Sequence, residues 1–453
     1  MLRNTLFLLL GVLAINLYAA VEEPKPSDPF FEKLHPLQAP APAGLLLKKG
    51  DRLAICGDSI TEQRMYSRIM EDYLTVCAPQ LHVSVRQFGW GGERADGFIK
   101  RMTNDVLRFQ PTIATTCYGM NDHEYRPYVD SIGETFRKSS LAVVEAFKAH
   151  GIRVVQGSSG CVGNRNWWQP GATTELLNQN LCNLRNLGIQ LAADEKVGFA
   201  DVFWPMINAS FTATHKYGPN YNLSGGDGVH PGWAGHTIMA YAFLKALGLE
   251  GDIADFKLDL ATGKFTVSAG HKLISGKGHA YEIRSERFPF CADAPFGLAA
   301  NWYPTAGFYN ITNNDNLRSG MGFVPFNQEL NRFLLTVNNT TAAKYRVVWG
   351  DQSREFTAEQ LNQGVNLAEE FTLNPFSAQF AQVDAAVSAK QEFETRQIKA
   401  IFRPGGNLST PMDQVAALTD KMLAETERQH TALEGYVRAA YAPVTYTIKV
   451  TAE

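Results

Sequence analysis

The sequence predicts an α/β protein: a flavodoxin-like three-layer α/β/α sandwich with a five-stranded parallel sheet, followed by a β-rich module that carries a helical hairpin. Three observations predict it. Across residues 51–250, short apolar, β-branched runs alternate with helical stretches, the pattern of a parallel sheet covered on both faces. Near residue 250 the texture changes to β segments punctuated by Gly, Asn and Asp. The chain has 453 residues, about three times a ~150-residue domain, which suits two domains rather than one.

The elements follow in order. An early basic residue, Arg3, precedes an apolar run from Leu6 to Ile15 and the small residues Ala19 and Ala20. This is the three-part form of a secretory signal peptide, so residues 1–20 are expected to direct export, with a mature start near Val21. The run is shorter than the ~20 residues a spanning helix needs, and no membrane span is expected in the mature chain. Residues 21–48, rich in Pro, Ala and Lys, form a leader laid on the surface. Strands are predicted at 53–56, 83–87, 113–118, 152–156 and 197–201. Helices are predicted near 60–77, 95–108, 131–150 and 173–193, with a last one after Pro231, a residue that suits a first helical turn. Beyond 250, β segments are predicted at 256–268, 272–290, 332–338 and 345–356, the last with a hairpin turn in GDQS at 350–353. Residues 374–402 and 412–441 are rich in Ala, Gln and Glu and read as helices, split by RPGGNLSTP. Residues 444–450 alternate like a strand, so the tail returns to the β module and the helix pair becomes an insertion at about 374–442.

Composition removes several function classes. Hydrophobic residues at 45% against charged residues at 19% give a buried core and exclude disorder. A formal net charge of −3 leaves no basic excess to neutralise phosphates, so no nucleic-acid partner is expected. Six cysteines in so long a chain do not make a disulfide scaffold. Cys56 and Cys117 fall in core strands as small hydrophobes, and Cys161 with Cys182 is the candidate disulfide of an exported chain. There is no H-E-x-x-H and no paired C-x-x-C, so neither a metal nor a cofactor is expected.

Ser59 sits in GDSIT, directly after the first strand and before a helix. There the free N–H groups and the positive end of a helix dipole are available to a developing oxyanion. Serine needs a general base, and GDGVHPGWAGH supplies one: Asp227 and His230 are three residues apart on one loop, close enough for the carboxylate to orient the imidazole. His215 and His236 are the competing bases, but neither has an Asp three residues earlier. Oxyanion donors are also at hand. Gly92 in QFGWGGER follows the second strand, where a glycine lets its N–H come close to a substrate, and Asn121 in YGMND follows the third. Asp58 and Asp122 read as loop-holding residues. The pattern G-x-S-x-G is absent, since Thr61 stands two after Ser59, so an α/β-hydrolase elbow is not supported.

GDSIT, the glycine of FGWGGER, GMND and DGVHP together resemble the four blocks of the SGNH (GDSL-type) hydrolases, in the family's order, over about residues 51–248. The resemblance implies a flavodoxin-like fold and a metal-independent serine esterase mechanism, with Ser59 as nucleophile and His230 as base. Asp227 matches the aspartate of the family's DxxH block. Ser59, Gly92 and Asn121 would be the oxyanion donors, with Gly91 and Gly89 as neighbouring alternatives to Gly92. The organisation expected is then a catalytic domain at 49–250 and an accessory module at 251–453.

The substrate expected is a carbohydrate ester. Trp90, Arg94, His123 and Tyr125 lie beside the blocks, and Arg165, Trp167 and Trp168 lie in the loop after the fourth strand. Aromatic faces with charged donors suit sugar rings. Exported two-domain members of the resembled family are often carbohydrate O-acetylesterases. The alternatives are a lipolytic esterase or lysophospholipase of the same family, a glycan acyltransferase, and a glycan-binding protein that keeps the fold without the chemistry.

Overall fold

A computed structural model of the chain describes residues 21–164, 169–292, 314–401 and 412–453. The first sheet holds β1 (Arg52–Gly57), β2 (Ser84–Gly89), β3 (Ile113–Cys117), β4 (Arg153–Gly157) and β5 (Gly198–Ala200), all parallel in the order β2-β1-β3-β4-β5. This is the flavodoxin-like order, whose ligand crevice opens outside the carboxyl ends of the strands where the order reverses, between β1 and β3.

The covering helices are α1 (Ser59–Glu62), α2 (Tyr66–Val76), α3 (Ala95–Asp105), α4 (Asp130–Ala149), α5 (Thr174–Glu195), α6 (Phe203–Tyr217) and α7 (Trp233–Ala246). Helix α4 shows how they sit: Ile132, Phe136, Val143, Val144 and Phe147 recur at helical spacing and are buried, and the opposite face is polar. The Thr173 side chain accepts the Leu176 N–H to start α5. Helix α7 is buried nearly all round, as its largely apolar sequence requires. The stretch between β5 and the last helix, for which no element was predicted, contains α6. Its Pro205 lies in the first turn, where a missing N–H costs nothing because that N–H has no intrahelical partner. The leader is tied down by Phe31, which packs edge-on against Trp204, and by Arg185, which bonds Leu37 O at 2.7 Å.

The remaining strands form two further sheets. One has β6 (Asp252–Asp259), β7 (Lys264–Thr266), β10 (Arg332–Asn338) and β13 (Val365–Asn366). The other has β8 (His271–Lys277), β9 (Ala280–Ser285), β11 (Lys344–Trp349), β12 (Gln352–Thr357) and β14 (Val444–Ala452). They meet through aromatic rings: Phe265 stacks on Tyr281 at 4.4 Å, and Phe333 lies 5.2 Å from Trp349. Short helices α8 (Leu317–Met321), α9 (Phe326–Glu329), α10 (Ala358–Gln363) and α11 (Leu367–Glu370) fill the rim. The strand β14 inserts between β11 and β9, antiparallel to both. The hairpin turn at Gly350 takes φ +59, a conformation glycine adopts without cost.

Helices α12 (Ser377–Arg396) and α13 (Met412–Ala440) leave the β module between α11 and β14. They pack on the first sheet's territory, with α12 against α2 and the edge strand β2. Lys390 Nζ donates to Val85 O at 2.7 Å, and the Gln87 N–H donates to Glu394 Oε2 at 3.1 Å, so side chains of α12 occupy backbone groups that an edge strand would otherwise leave open. Arg68 forms a fork on Asp384 from α2. The two halves also share hydrogen bonds to backbone carbonyls: Phe288 N–H donates to Val76 O at 2.9 Å and the Tyr73 hydroxyl to Leu330 O at 2.7 Å. The candidate disulfide is not formed. Cys161 and Cys182 are both free and buried, and Cys161 Sγ lies 3.6 Å from Ser224 Oγ instead. Among the described residues, no helix is long and apolar enough to cross a membrane.

Candidate active site

The site begins where β1 ends. A Cβ on Gly57 would stand 2.0 Å from Thr61 Oγ1 and 2.9 Å from Cys117 O, so the strand turns there only because the residue is glycine. Asp58 then caps α1, its Oδ1 accepting the Ile60 N–H at 2.9 Å, and Ser59 becomes the first helical residue with an N–H that has no partner inside the helix. Burial pushes the Asp58 carboxyl up to about 7, against the pull of that backbone bond.

The base arrives on the loop before α7. Asp227 Oδ1 accepts the N–H groups of Val229 and His230, each at 2.9 Å, and Oδ2 stands 2.6 Å from His230 Nδ1. Across the ring, His230 Nε2 is 2.8 Å from Ser59 Oγ. With Nδ1–H donating to the carboxylate, Nε2 is left to accept the serine proton. Burial would raise the Asp227 carboxyl, but the bond and charge of His230 and the two backbone donors hold it below its ordinary value. Behind the loop, Asp315 Oδ1 accepts the Ala234 N–H at 2.9 Å and so caps the start of α7. His236 faces inward: Nδ1 accepts the Tyr66 N–H at 3.2 Å and Nε2 is 3.3 Å from Gln63 Oε1, while Gln63 donates to Pro231 O. Burial lowers His236 to about 3, so the ring stays neutral. Neither Asp315 nor Gln63 carries a sequence signal that would have marked it.

Two further loops complete the rim. Asn121 donates through Nδ2 to Glu93 O at 3.0 Å and reaches Asp58 Oδ2 only at 3.5 Å, which leaves capacity on its amide. Asp122 joins the two loops by accepting the N–H groups of Ala95 and Gly119, and burial pushes it up to about 6. Residues 90–93 form a turn closed by Glu93 N–H to Trp90 O, with Gly92 at φ +73 in the third position, where a type II turn needs glycine. The three glycines of this segment differ. The Gly89 N–H is taken by Gln87 Oε1 and the Gly91 N–H by Glu62 Oε2, whereas the Gly92 N–H has no acceptor among the described residues. The structure therefore gathers Ser59, Asp227, His230, Gly92 and Asn121 at one rim.

The outer residues divide. Trp90 is half-buried at the rim, with Lys399 Nζ 5.3 Å from its ring. Arg94 is exposed and paired with Glu124 at 3.0 Å, and Tyr125 donates to Asn121 Oδ1 at 3.3 Å. His123 does not belong with them. It is fully buried, its Nδ1 contacts Met120 O, and burial lowers it to about 4. The tight coil after β3 turns this ring inward while Glu124 and Tyr125 stay partly exposed, so the expectation of a substrate contact is corrected. Arg165, Trp167 and Trp168 lie outside the described residues. Glu62, fully buried and three residues after Ser59, was not anticipated; its carboxylate also pairs with Lys399 from the far end of the chain. Among the described residues, no cluster of three or more His, Cys, Asp or Glu gathers as a metal site.

Residues 55–238 match the GDSL-like lipase/acylhydrolase family. Among solved structures, BT4096, a gut microbial diltiazem-metabolizing enzyme, is similar over 91% of this chain and 100% of its own, at 23% identity and a TM-score of 0.71. That likeness extends the shared fold through the C-terminal module. A catalytic mutant of Axe2, an acetylxylan esterase from Geobacillus stearothermophilus, covers 46% of this chain and 98% of its own at 19% identity and a TM-score of 0.38. A hydrolase, LAE5, from the metagenome of Lake Arreo, covers 45% and 98% at 20% identity and a TM-score of 0.37. Among curated proteins, none is significantly similar in sequence. The segment 55–238 thus joins the flavodoxin-like sheet order to a match with the GDSL-like lipase/acylhydrolase family.

Proposed function

We propose that the protein is a serine esterase that hydrolyses small acyl esters, acetyl above all, carried by a carbohydrate. The observation that carries this reading is the unbroken chain from Asp227 through His230 to Ser59, with bonds of 2.6 and 2.8 Å. His230 Nε2 takes the Ser59 proton as Oγ attacks the ester carbonyl. The N–H groups of Ser59 and Gly92 and the Asn121 amide receive the oxyanion. His230 then protonates the departing alcohol, and water repeats both steps on the acyl-enzyme to release the acid and restore Ser59. Asp227, held anionic, stabilises the imidazolium that forms in between.

The groups around Ser59 support a short acyl chain on a polyol. Asp58, Asn121 and Glu62 are polar, Trp90 and Tyr125 offer ring faces, and Arg94 offers a charged donor. Export fits such a substrate, and the reading of residues 1–20 as a signal peptide supports it.

The test compares residues 21–453 with Ser59→Ala on acetyl and octanoyl p-nitrophenyl esters, then on acetylated glycans. Turnover of the acetyl ester that falls by ~10³-fold or more in Ser59→Ala is expected, with collapse at octanoyl. A preference for octanoyl would replace the reading with a lipolytic one. Equal rates for parent and variant would refute the assignment of Ser59.

A further inference from the structure

We propose that Lys399, just past the first helix of the C-terminal helical insertion, is a positioning residue of the active site, acting through Glu62 on the oxyanion loop; this rests on the esterase reading above. The connection is short. Glu62 occupies the last turn of the same small helix that begins with Ser59, and it is fully buried. One carboxylate oxygen, Oε2, accepts the Gly91 N–H; the other, Oε1, pairs with Lys399 Nζ. Gly91 is wedged in the gap: a Cβ there would lie 2.9 Å from Glu62 Oε2 and 3.9 Å from the Ser59 Cβ. The next residue, Gly92, carries the unused N–H. The carboxylate thus fixes the first N–H of the turn and leaves the second to the substrate.

A buried carboxylate holds such a position only while a cation balances it. Arg64 also feels the charge of Glu62, but from within the same segment, and its own guanidinium is lowered to about 10 by burial. Lys399 is the cation brought from outside the catalytic domain. It stands in a π-helical turn, Gln397–Ile401, that continues α12, and its ammonium lies 5.3 Å from the ring of Trp90, the residue before Gly91. Such turns often mark functional positions in helices. The same ammonium therefore meets the loop twice, through Glu62, which holds the Gly91 N–H, and through the Trp90 ring. Covering β2 would need neither contact, since Lys390 and Glu394 already serve that strand.

Lys399→Met and Lys399→Arg test this, with two readouts. On p-nitrophenyl acetate, Lys399→Met should lower kcat by ~10- to 100-fold, short of the 10²–10³-fold cost of deleting an oxyanion donor. KM should change by less than about two-fold, because the loss falls on the transition state. Lys399→Arg should restore kcat to within about three-fold. The melting temperature should fall in Lys399→Met, which leaves the fully buried Glu62 without its cation, and hold in Lys399→Arg. In hydrogen–deuterium exchange read by mass spectrometry, peptides spanning residues 88–95 should exchange faster in Lys399→Met and not in Lys399→Arg. Parental kcat or parental exchange in Lys399→Met would overturn the proposal and leave the esterase reading intact. A parent inactive on every ester would defeat the esterase reading, while the exchange comparison would still decide whether Lys399 holds the loop.

Discussion

Helices α7 and α12 flank the same α/β layer, and they are packed by opposite chemistries. Helix α7 presents Ala234, Ile238, Met239, Phe243 and Leu244, and Phe243 stacks on Tyr66 at 5.4 Å while filling the space a side chain on Gly157 would need. Helix α12 buries Asp384, Lys390, Gln391, Glu394 and Thr395. The difference follows from what each meets. The face under α7 offers apolar side chains, whereas α12 lies beside an edge strand whose N–H and C=O groups need polar partners. Apolar packing supplies stability without a fixed register. The network of Lys390, Glu394, Glu71 and His430 is satisfied in one alignment, and that alignment also delivers Lys399 to Glu62.

Deleting the ring at the centre of the apolar face should be the costliest change. Phe243→Ala is expected to lose about 3–5 kcal/mol in urea unfolding, as large-to-small core substitutions do. On the polar face Lys390→Met should lose roughly 2–4 kcal/mol, because Glu394 and Glu71 remain buried without their shared cation. The double variant Lys390→Met/Glu394→Gln should recover part of that loss, since a neutral amide still accepts the Gln87 N–H while Glu71 stays buried without its cation. Recovery of the same kind is not available to Phe243→Ala. A double variant no better than the single would show that the polar face is held by charge rather than by hydrogen bonding.

The pH dependence gives the smallest effects, and the two faces should differ in sign. His236 is lowered by burial to about 3 from 6.5, so the unfolded chain takes up its proton first and stability drains as pH falls from 6.5 toward 3. Relative to wild type, His236→Gln should therefore gain in that window, by up to about 1.4 kcal/mol per pH unit. Glu71 is raised by burial, and Glu394 adds to the rise, so the folded state takes up its proton first. Stability from this group grows as pH falls from neutral, and Glu71→Gln should lose ground to wild type over the same descent. Urea midpoints measured from pH 7 to pH 5 check both slopes.

The first sheet was legible because its strands are buried on both faces and most of them read as short, largely apolar runs between helical stretches. The segments at 53–56 and 113–118 differ from β1 and β3 by a residue or two. Helix α6 was not legible, because Pro205 looks like a breaker to anyone who cannot see that it falls in a first turn. The insertion was legible as helix and illegible as to its surface: Lys390, Gln391, Glu394 and Thr395 look solvated by type, and their burial depends on the edge strand. At the site, three blocks stood out because they fall at the ends of strands, and the fourth because Asp227 and His230 stand three residues apart on one loop. His123 misled because adjacency in sequence does not give the direction of a ring. Glu62 and Lys399 gave no signal, since their meeting is made only by the packing of α12.

The position of β14 sets an order of events. It is the central strand of its sheet, between β11 and β9, and its residues are the last of the described chain to leave the ribosome. The strands on either side must wait, edges unpaired, until Val444–Ala452 has been made. The catalytic sheet, complete by Ala200, can assemble long before. Its edge at β2 is covered only when the later insertion docks, so the nascent chain carries open strand edges through most of its synthesis, the condition under which sheets pair with the wrong partner.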